Sequence, residues 1–145
     1  MAEISAGRIK ELLNTDTLTQ PKVLMVEDSQ FDMVLIKGVL EEYFPLTLID
    51  HAPTRVDGLR LVKCEQYDVI LLDLYLPDSI DLNDIKDFRK NAPDTPIFIL
   101  TGSYTPAAQK AAKENGADGI VSKNNLTKST FDALINEAVD NVANF

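Results

Sequence analysis

Asp73 stands near the middle of "VILLDLYLPDS" (69–79), where Ile70, Leu71 and Leu72 lead straight into an acid and more apolar residues follow. A strand that apolar is buried on both faces. A carboxylate at its end is costly to desolvate unless a cation meets it. Similar short runs end in other reactive residues: Glu27 and Asp28 close "KVLMVED", Thr101, Gly102 and Ser103 follow "PIFIL", and Lys123 follows "GIVS". Clustered carboxylates raise one another's pKa values unless a cation sits among them. Oxygen ligands of this kind suit Mg²⁺, which takes only one or two carboxylates directly and keeps several waters. A carboxylate beside such a cation, with a lysine and a hydroxyl opposite, is suited to receiving a phosphoryl group. Asp73 would be the nucleophile, Mg²⁺ and Lys123 would offset charge on the transferring oxygens, and Thr101 would donate a hydrogen bond to one of them. Taken singly, each residue has a plainer reading. Asp73 reads as a turn or helix-cap residue, Glu27 and Asp28 as acids opening a helix, and Lys123 as a solvated lysine.

The elements that would bring them together alternate along the chain. Strands are predicted at 22–27, 46–50 ("LTLID"), 68–73, 96–100 and 119–122. Between them lie helical patterns. Ser29 is a good N-cap, after which Phe31, Val34, Leu35, Val39 and Tyr43 fall on one face. Thr54 precedes Val56, Leu59 and Val62, and Leu82, Ile85 and Phe88 recur every three residues. "TPAAQKAAKENG" offers Thr105 as cap, Pro106 in the first turn and Gly116 as the stop. A last stripe runs through Phe131, Leu134, Ile135, Ala138, Val139 and Val142. Five strands alternating with five helices imply an open parallel α/β sheet covered on both faces. In such sheets sites form outside the carboxyl ends of the strands, which is where the acids, the hydroxyl and the ammonium arrive. Residues 3–13 read as an extra helix or a loose arm.

Composition limits the function classes. The chain has 145 residues, 45% of them hydrophobic and 26% charged, which suits one globular domain. A formal net charge of −9 argues against nucleic acid or an anionic membrane as the main partner. The single cysteine, Cys64, makes no internal disulfide and reads as a structural or idle thiol. The acid-containing start is not a signal peptide, and no run approaches the roughly 18 apolar residues of a membrane helix. A cytoplasmic protein is expected. His51 reads as a surface histidine, Tyr104 as a loop surface residue, and Tyr43, Phe88, Phe98 and Phe131 as core.

"VLMVEDS", "VILLDLYLP", "PIFILTG" and "GADGIVSK", in that order, resemble the CheY-like receiver domain of bacterial two-component response regulators. The resemblance covers about residues 22–143, within a receiver domain drawn at 21–145 behind an arm at 1–20. It implies a flavodoxin-like fold with strand order 2-1-3-4-5. It also implies roles. Asp73 accepts phosphate from a histidine kinase or histidine phosphotransfer protein. Asp28 binds Mg²⁺ directly, Glu27 helps through water, and the Tyr75 carbonyl is a further ligand. Thr101 swings toward the phosphoryl group and Lys123 pairs with it. Output then passes to a downstream protein or fused domain, without direct nucleic-acid or membrane contact, and a homodimer is left open. Such a chain is a phosphoacceptor that catalyses its own phosphotransfer and dephosphorylation rather than an enzyme acting on a separate substrate.

Some positions depart from the family pattern. Asn124 follows Lys123 where proline with a cis bond is common, and before a non-proline residue that bond costs about 2.5–4 kcal/mol. Ile120 stands where the switching aromatic is frequent, and Asp81 replaces a glycine. Tyr75 and Ser103 hold positions that influence how water reaches the acyl phosphate, and a bulky phenol at 75 implies slow self-dephosphorylation. Rival readings fit less well. A haloacid-dehalogenase-like Mg-dependent phosphatase would carry a second acid where Tyr75 stands. A flavodoxin-like electron carrier would need a glycine- and hydroxyl-rich loop in place of the acidic "EDSQF". A degenerate receiver serving only as a docking module would not keep every acidic, hydroxyl and lysine position filled.

Overall fold

The computed structural model describes residues 21–79, 81–102 and 104–132. The proposed N-terminal arm, Ser103 and the last stripe beyond residue 132 lie outside the described residues. The elements run β1 (Lys22–Val26), α1 (Gln30–Tyr43), β2 (Leu48–Ala52), α2 (Arg55–Cys64), β3 (Val69–Asp73), α3 (Asn83–Asn91), β4 (Ile97–Thr101), α4 (Pro106–Glu114) and β5 (Gly119–Ser122). The strands form one sheet in the order β2-β1-β3-β4-β5, with every pairing parallel. This is the doubly wound topology expected from the alternation.

The sheet is buried on both faces because its central strands alternate between two apolar clusters. Val23, Met25, Val69, Leu71, Phe98 and Leu100 pack with Ile36 and Leu40 of α1 and with Phe131. Leu24, Val26, Ile70, Leu72, Ile97 and Ile99 pack with Val62 of α2, Ile85 and Phe88 of α3 and Ala112 of α4. The period of two in a strand sends adjacent aliphatic residues to opposite faces, so an unbroken apolar run is what a covered sheet requires. α2 comes closest at Gly58, where a Cβ would lie 2.9 Å from Phe88 Cζ and from Val26 Cγ2. Helix ends follow the sequence. Ser29, Thr54 and Thr105 accept from Asp32, Asp57 and Ala108 N–H groups respectively. Gly116, at φ 110°, turns the chain out of α4.

Three expectations are corrected. The first concerns the face of α1. Phe31, Val34 and Leu35 are exposed, while Ile36 and Leu40 are buried, with Met33, Val39 and Tyr43 partly buried beside them. "QFDMVLIKGVLEEY" carries two apolar stripes at helical spacing, and the one chosen by the sheet is the one that leaves Asp32 facing the strand ends. The second is the span of β2, which lies two residues later than the predicted "LTLID". Thr47 donates its hydroxyl and its N–H to the Phe44 carbonyl, which closes α1, and pairing starts only when Leu48 N–H reaches the Pro21 carbonyl. Third, Val56 is exposed rather than packed, the stripe of α2 running through Gly58 and Val62.

Candidate functional site

Every strand end that the sequence marked as polar meets its neighbours at the carboxyl edge. β1 and β3 are adjacent, in register from Val23↔Val69 to Val26↔Leu72, so Glu27 and Asp73 leave their strands side by side. Asp73 is 3% exposed and Glu27 is fully buried. Thr101, also buried and itself engaged in a polar contact, ends β4 one step beyond the Asp73↔Leu100 pair. Lys123 N–H donates to the Thr101 carbonyl at 2.7 Å, extending the ladder one residue past β5 and setting the lysine over the edge. No peptide bond among the described residues is cis, so the chain passes Asn124 by another path. Asn124 N–H donates to Ser122 Oγ and Asn125 N–H to the Ser122 carbonyl, forming a tight turn.

The charges are arranged around the ammonium. Lys123 Nζ lies 2.6 Å from Glu27 Oε2, 2.9 Å from Asp32 Oδ2 and 3.2 Å from Asp73 Oδ2. The other oxygens of the two inner acids take backbone donors. Tyr75 N–H donates to Asp73 Oδ1 at 2.9 Å, and Ser29 N–H donates to Glu27 Oε1 at 3.0 Å. Burial alone would lower the lysine's pKa, but Glu27, Asp32 and Asp73 outweigh it and hold the ammonium above its ordinary range. Burial dominates at Glu27, with Asp73 adding to it against Lys123 and the Ser29 N–H, so its carboxyl is pushed up from 4.5 to about 7. Asp28 is exposed at the rim, and oxygens of Glu27, Asp28 and Asp73 all lie within 4.8 Å of one another. Three hard oxygen donors at that spacing fit a divalent cation of the Mg²⁺ or Ca²⁺ kind.

Of the residues singled out from the sequence, Glu27, Asp28, Asp73, Thr101 and Lys123 gather at this edge. The Tyr75 backbone joins them, whereas its side chain, 75% exposed, points into solvent. Ile120 is buried in β5 against the sheet face that carries α2 to α4. Two participants were missed. Asp32 is one, legible only as a further acid in "EDSQFD", one turn into α1. His51 is the other. It is a half-buried residue of β2 rather than a surface one, and its Nε2 lies 2.6 Å from the Glu27 carbonyl oxygen. Its signal was hidden by the misplaced strand.

A raised Glu27 pKa has opposite consequences for the bare chain and the cation-bound one. The folded state holds this proton more tightly than the unfolded state, so the stability it contributes to the metal-free chain is fully present below pH 4.5 and is lost as pH rises through about 7. A cation needs the ionised carboxylate. Affinity for a divalent cation held by Glu27 is therefore expected to fall by about tenfold per pH unit at most below pH 7, as calorimetric titrations from pH 8 to pH 6 would record. A flat profile would mean that no Glu27 proton is displaced by the cation over this range.

An open parallel α/β sheet whose carboxyl edge collects acids, a hydroxyl and a lysine is suited to phosphoryl chemistry. The response regulator receiver domain family matches residues 23–135, and the chain belongs to it. The chemotaxis protein CheY of Halobacterium salinarum is 31% identical over 116 residues, 78% of this chain and 92% of that protein. The aerobic respiration control sensor protein ArcB of Escherichia coli is 28% identical over 123 residues, covering 81% of this chain but 15% of ArcB. A crystal structure of a response regulator protein from Burkholderia pseudomallei, with a phosphorylated aspartic acid, calcium ion and citrate, matches at 25% identity with a TM-score of 0.72. That match covers 86% of this chain and 72% of the other. The chain is thus a receiver of two-component signalling, a phosphoryl-accepting module of the kind that works with histidine kinases and output domains. Among the described residues no helix is long and apolar enough to cross a membrane.

Proposed function

We propose that Asp73 is the phosphoacceptor and that Mg²⁺ is the cation used. The observation that carries this reading is the Asp73 carboxylate, buried at a strand end and faced by both the Lys123 ammonium and the acidic cluster of Glu27 and Asp28. A carboxylate oxygen of Asp73 attacks phosphorus and the P–N bond of a phosphohistidine breaks, its electron pair staying with the imidazole. Glu27, Asp28, Asp73 and the Tyr75 carbonyl would hold Mg²⁺, which supplies charge neutralisation at the phosphoryl oxygens when bound. Lys123 pairs with one of those oxygens and Thr101 donates to another. Ser103 and Ile120 are the regulatory positions, affecting water access and the shift of β5. The receiver domain is taken as 21–145 behind an arm at 1–20, in a cytoplasmic protein whose output is a protein contact or a fused domain. The chain catalyses its own phosphorylation and dephosphorylation. Intact mass after incubation with a small acyl-phosphate donor and Mg²⁺ tests this: one phosphoryl group is expected, and none with EDTA.

The exposed apolar face of α1 has a place in this reading. Phe31, 77% exposed, with Val34 and Leu35, starts just past Asp28 and so borders the site from which a donor must approach. Exposed apolar patches mark contact surfaces, and we assign this one to the phosphohistidine-bearing protein. Phe31→Asp is expected to slow transfer from a protein donor by about tenfold or more, on the scale of a lost interface anchor, while leaving transfer from a small acyl phosphate unchanged. Equal rates from the protein donor would remove the assignment.

Tyr75 bears on the loss of the phosphoryl group to water. Its phenol, exposed to solvent here, would have to turn over the acyl phosphate to obstruct in-line attack by water; if it does, the acyl phosphate persists longer in the wild type than in Tyr75→Asn. The decay of the phosphorylated mass over time measures this, and an unchanged half-life refutes the obstruction.

A further inference from the structure

Lys123 Nζ is shared by carboxylates from three elements, and they are not equivalent. Glu27 and Asp73 are the inner pair, with side chains 0% and 4% exposed, and both belong to the cluster assigned to the cation. Asp32 is the outer partner, on the first turn of α1, with its side chain 26% exposed and its Oδ2 2.9 Å from Nζ. A doubly charged cation entering among Glu27, Asp28 and Asp73 repels an ammonium already bonded to two of them. Like charges at such separations repel strongly where water is scarce. The ammonium must give up ground, and the acceptor it already touches on the outer side is Asp32.

We propose that Asp32 is a positioning residue for Lys123, the counter-ion on which the ammonium rests when a divalent cation takes the inner carboxylates. This rests on the cation site assigned above. From Asp32 the ammonium stays within reach of a phosphoryl group on Asp73, so one lysine serves the metal-free site and the phosphorylated one. Asp32 thereby couples the start of α1 to the occupancy of the site. The plainer role for an acid in a first helical turn is to complement the helix dipole, and that role does not involve Lys123.

A double-mutant cycle read by calorimetric Mg²⁺ titration separates the two. Asp32→Asn keeps the side-chain size, and the Asp32 N–H bonded to Ser29 Oγ at 3.2 Å belongs to the backbone. The titrations are run at pH 8, in the wild type and in Lys123→Met, with Lys123→Gln as a second replacement and circular-dichroism melts to check folding. Contacting charges couple, so Asp32→Asn is expected to raise the Mg²⁺ Kd by about fivefold when Lys123 is present and by less than about twofold when it is absent. Asp32→Glu is expected to restore binding. Equal weakening with and without Lys123 makes Asp32 only a nearby negative charge and overturns the proposal, as does no weakening at all. A wild-type chain that takes up no Mg²⁺ overturns the cation site itself, a result distinct from wild-type uptake that is indifferent to Asp32.

Discussion

Asp73→Asn is expected to accept no phosphoryl group from an acyl-phosphate donor under conditions in which the wild type is fully modified. In the proposed reaction the carboxylate oxygen is the attacking atom, and an amide oxygen is far too weak a nucleophile to replace it. The fold should survive the change. Asp73 lies in a site where Glu27, Asp28 and Asp32 also bring negative charge and Lys123 is the cation that meets Glu27, Asp32 and Asp73. Removing one carboxylate relieves repulsion, and Lys123 keeps Glu27 at 2.6 Å and Asp32 at 2.9 Å. The variant is therefore expected to melt no lower than the wild type at pH 8, with weaker Mg²⁺ binding because one proposed ligand has lost its charge. Intact mass and a thermal melt on the same sample separate the outcomes. A phosphoryl group on Asp73→Asn would place the acceptor elsewhere. A collapsed melt with no phosphoryl group would mean that the loss of chemistry followed from the loss of structure.

How much of this was readable from the chain depends on how local each cause is. The strands of the sheet interior were legible because burial on both faces forces unbroken aliphatic runs, and such runs ending in Glu27, Asp73, Thr101 and Lys123 point the polar residues to one edge. The helix caps were legible because Ser29, Thr54 and Thr105 act on N–H groups three residues away. The packed face of α1 was not. Two apolar stripes compete in the same helix, and the choice depends on contacts with the sheet that spacing alone does not contain. Asp32 escaped for the same reason: the residue that gives it meaning, Lys123, is 91 positions away. His51 was lost because a two-residue error in β2 placed it outside the strand that carries it to Glu27. The buried Asp84 was hidden too, since an acid in the first turn of α3 reads as an exposed favourable charge unless the approach of α2 is known.

That approach supports the second large effect. The loop leaving Asp73 carries Tyr75, whose N–H holds the Asp73 carboxylate, and it is tied to α2 through Asp78, while Arg55 of α2 pairs with acids of α3. Asp78 accepts from the Arg55 and Val56 N–H groups at 2.7 and 3.0 Å, covering the amides at the start of α2 that the Thr54 side chain does not reach. These backbone donors outweigh the burial of Asp78 and hold its carboxyl below the ordinary range. The Arg55 guanidinium then spans Asp84, 1% exposed, at 2.8 Å and the more exposed Asp87 at 2.5 Å. Breaking the buried half of this arrangement matters far more than breaking the exposed half. Arg55→Met keeps the aliphatic stem but takes the guanidinium from Asp84, and a loss of about 3 kcal/mol in a urea melt is expected. Asp87→Asn, on the solvent side, is expected to lose under about 1 kcal/mol. The double change Arg55→Met with Asp84→Leu is expected to recover most of the loss, because the buried ion pair is then replaced on both sides by apolar side chains. If Arg55→Met melts like Asp87→Asn, the pair is a surface ion pair in effect, and the loop beside Asp73 is held by Asp78 alone. If the double change recovers stability yet still weakens Mg²⁺ binding, the guanidinium does more than balance Asp84: it fixes the loop from which Tyr75 reaches the site.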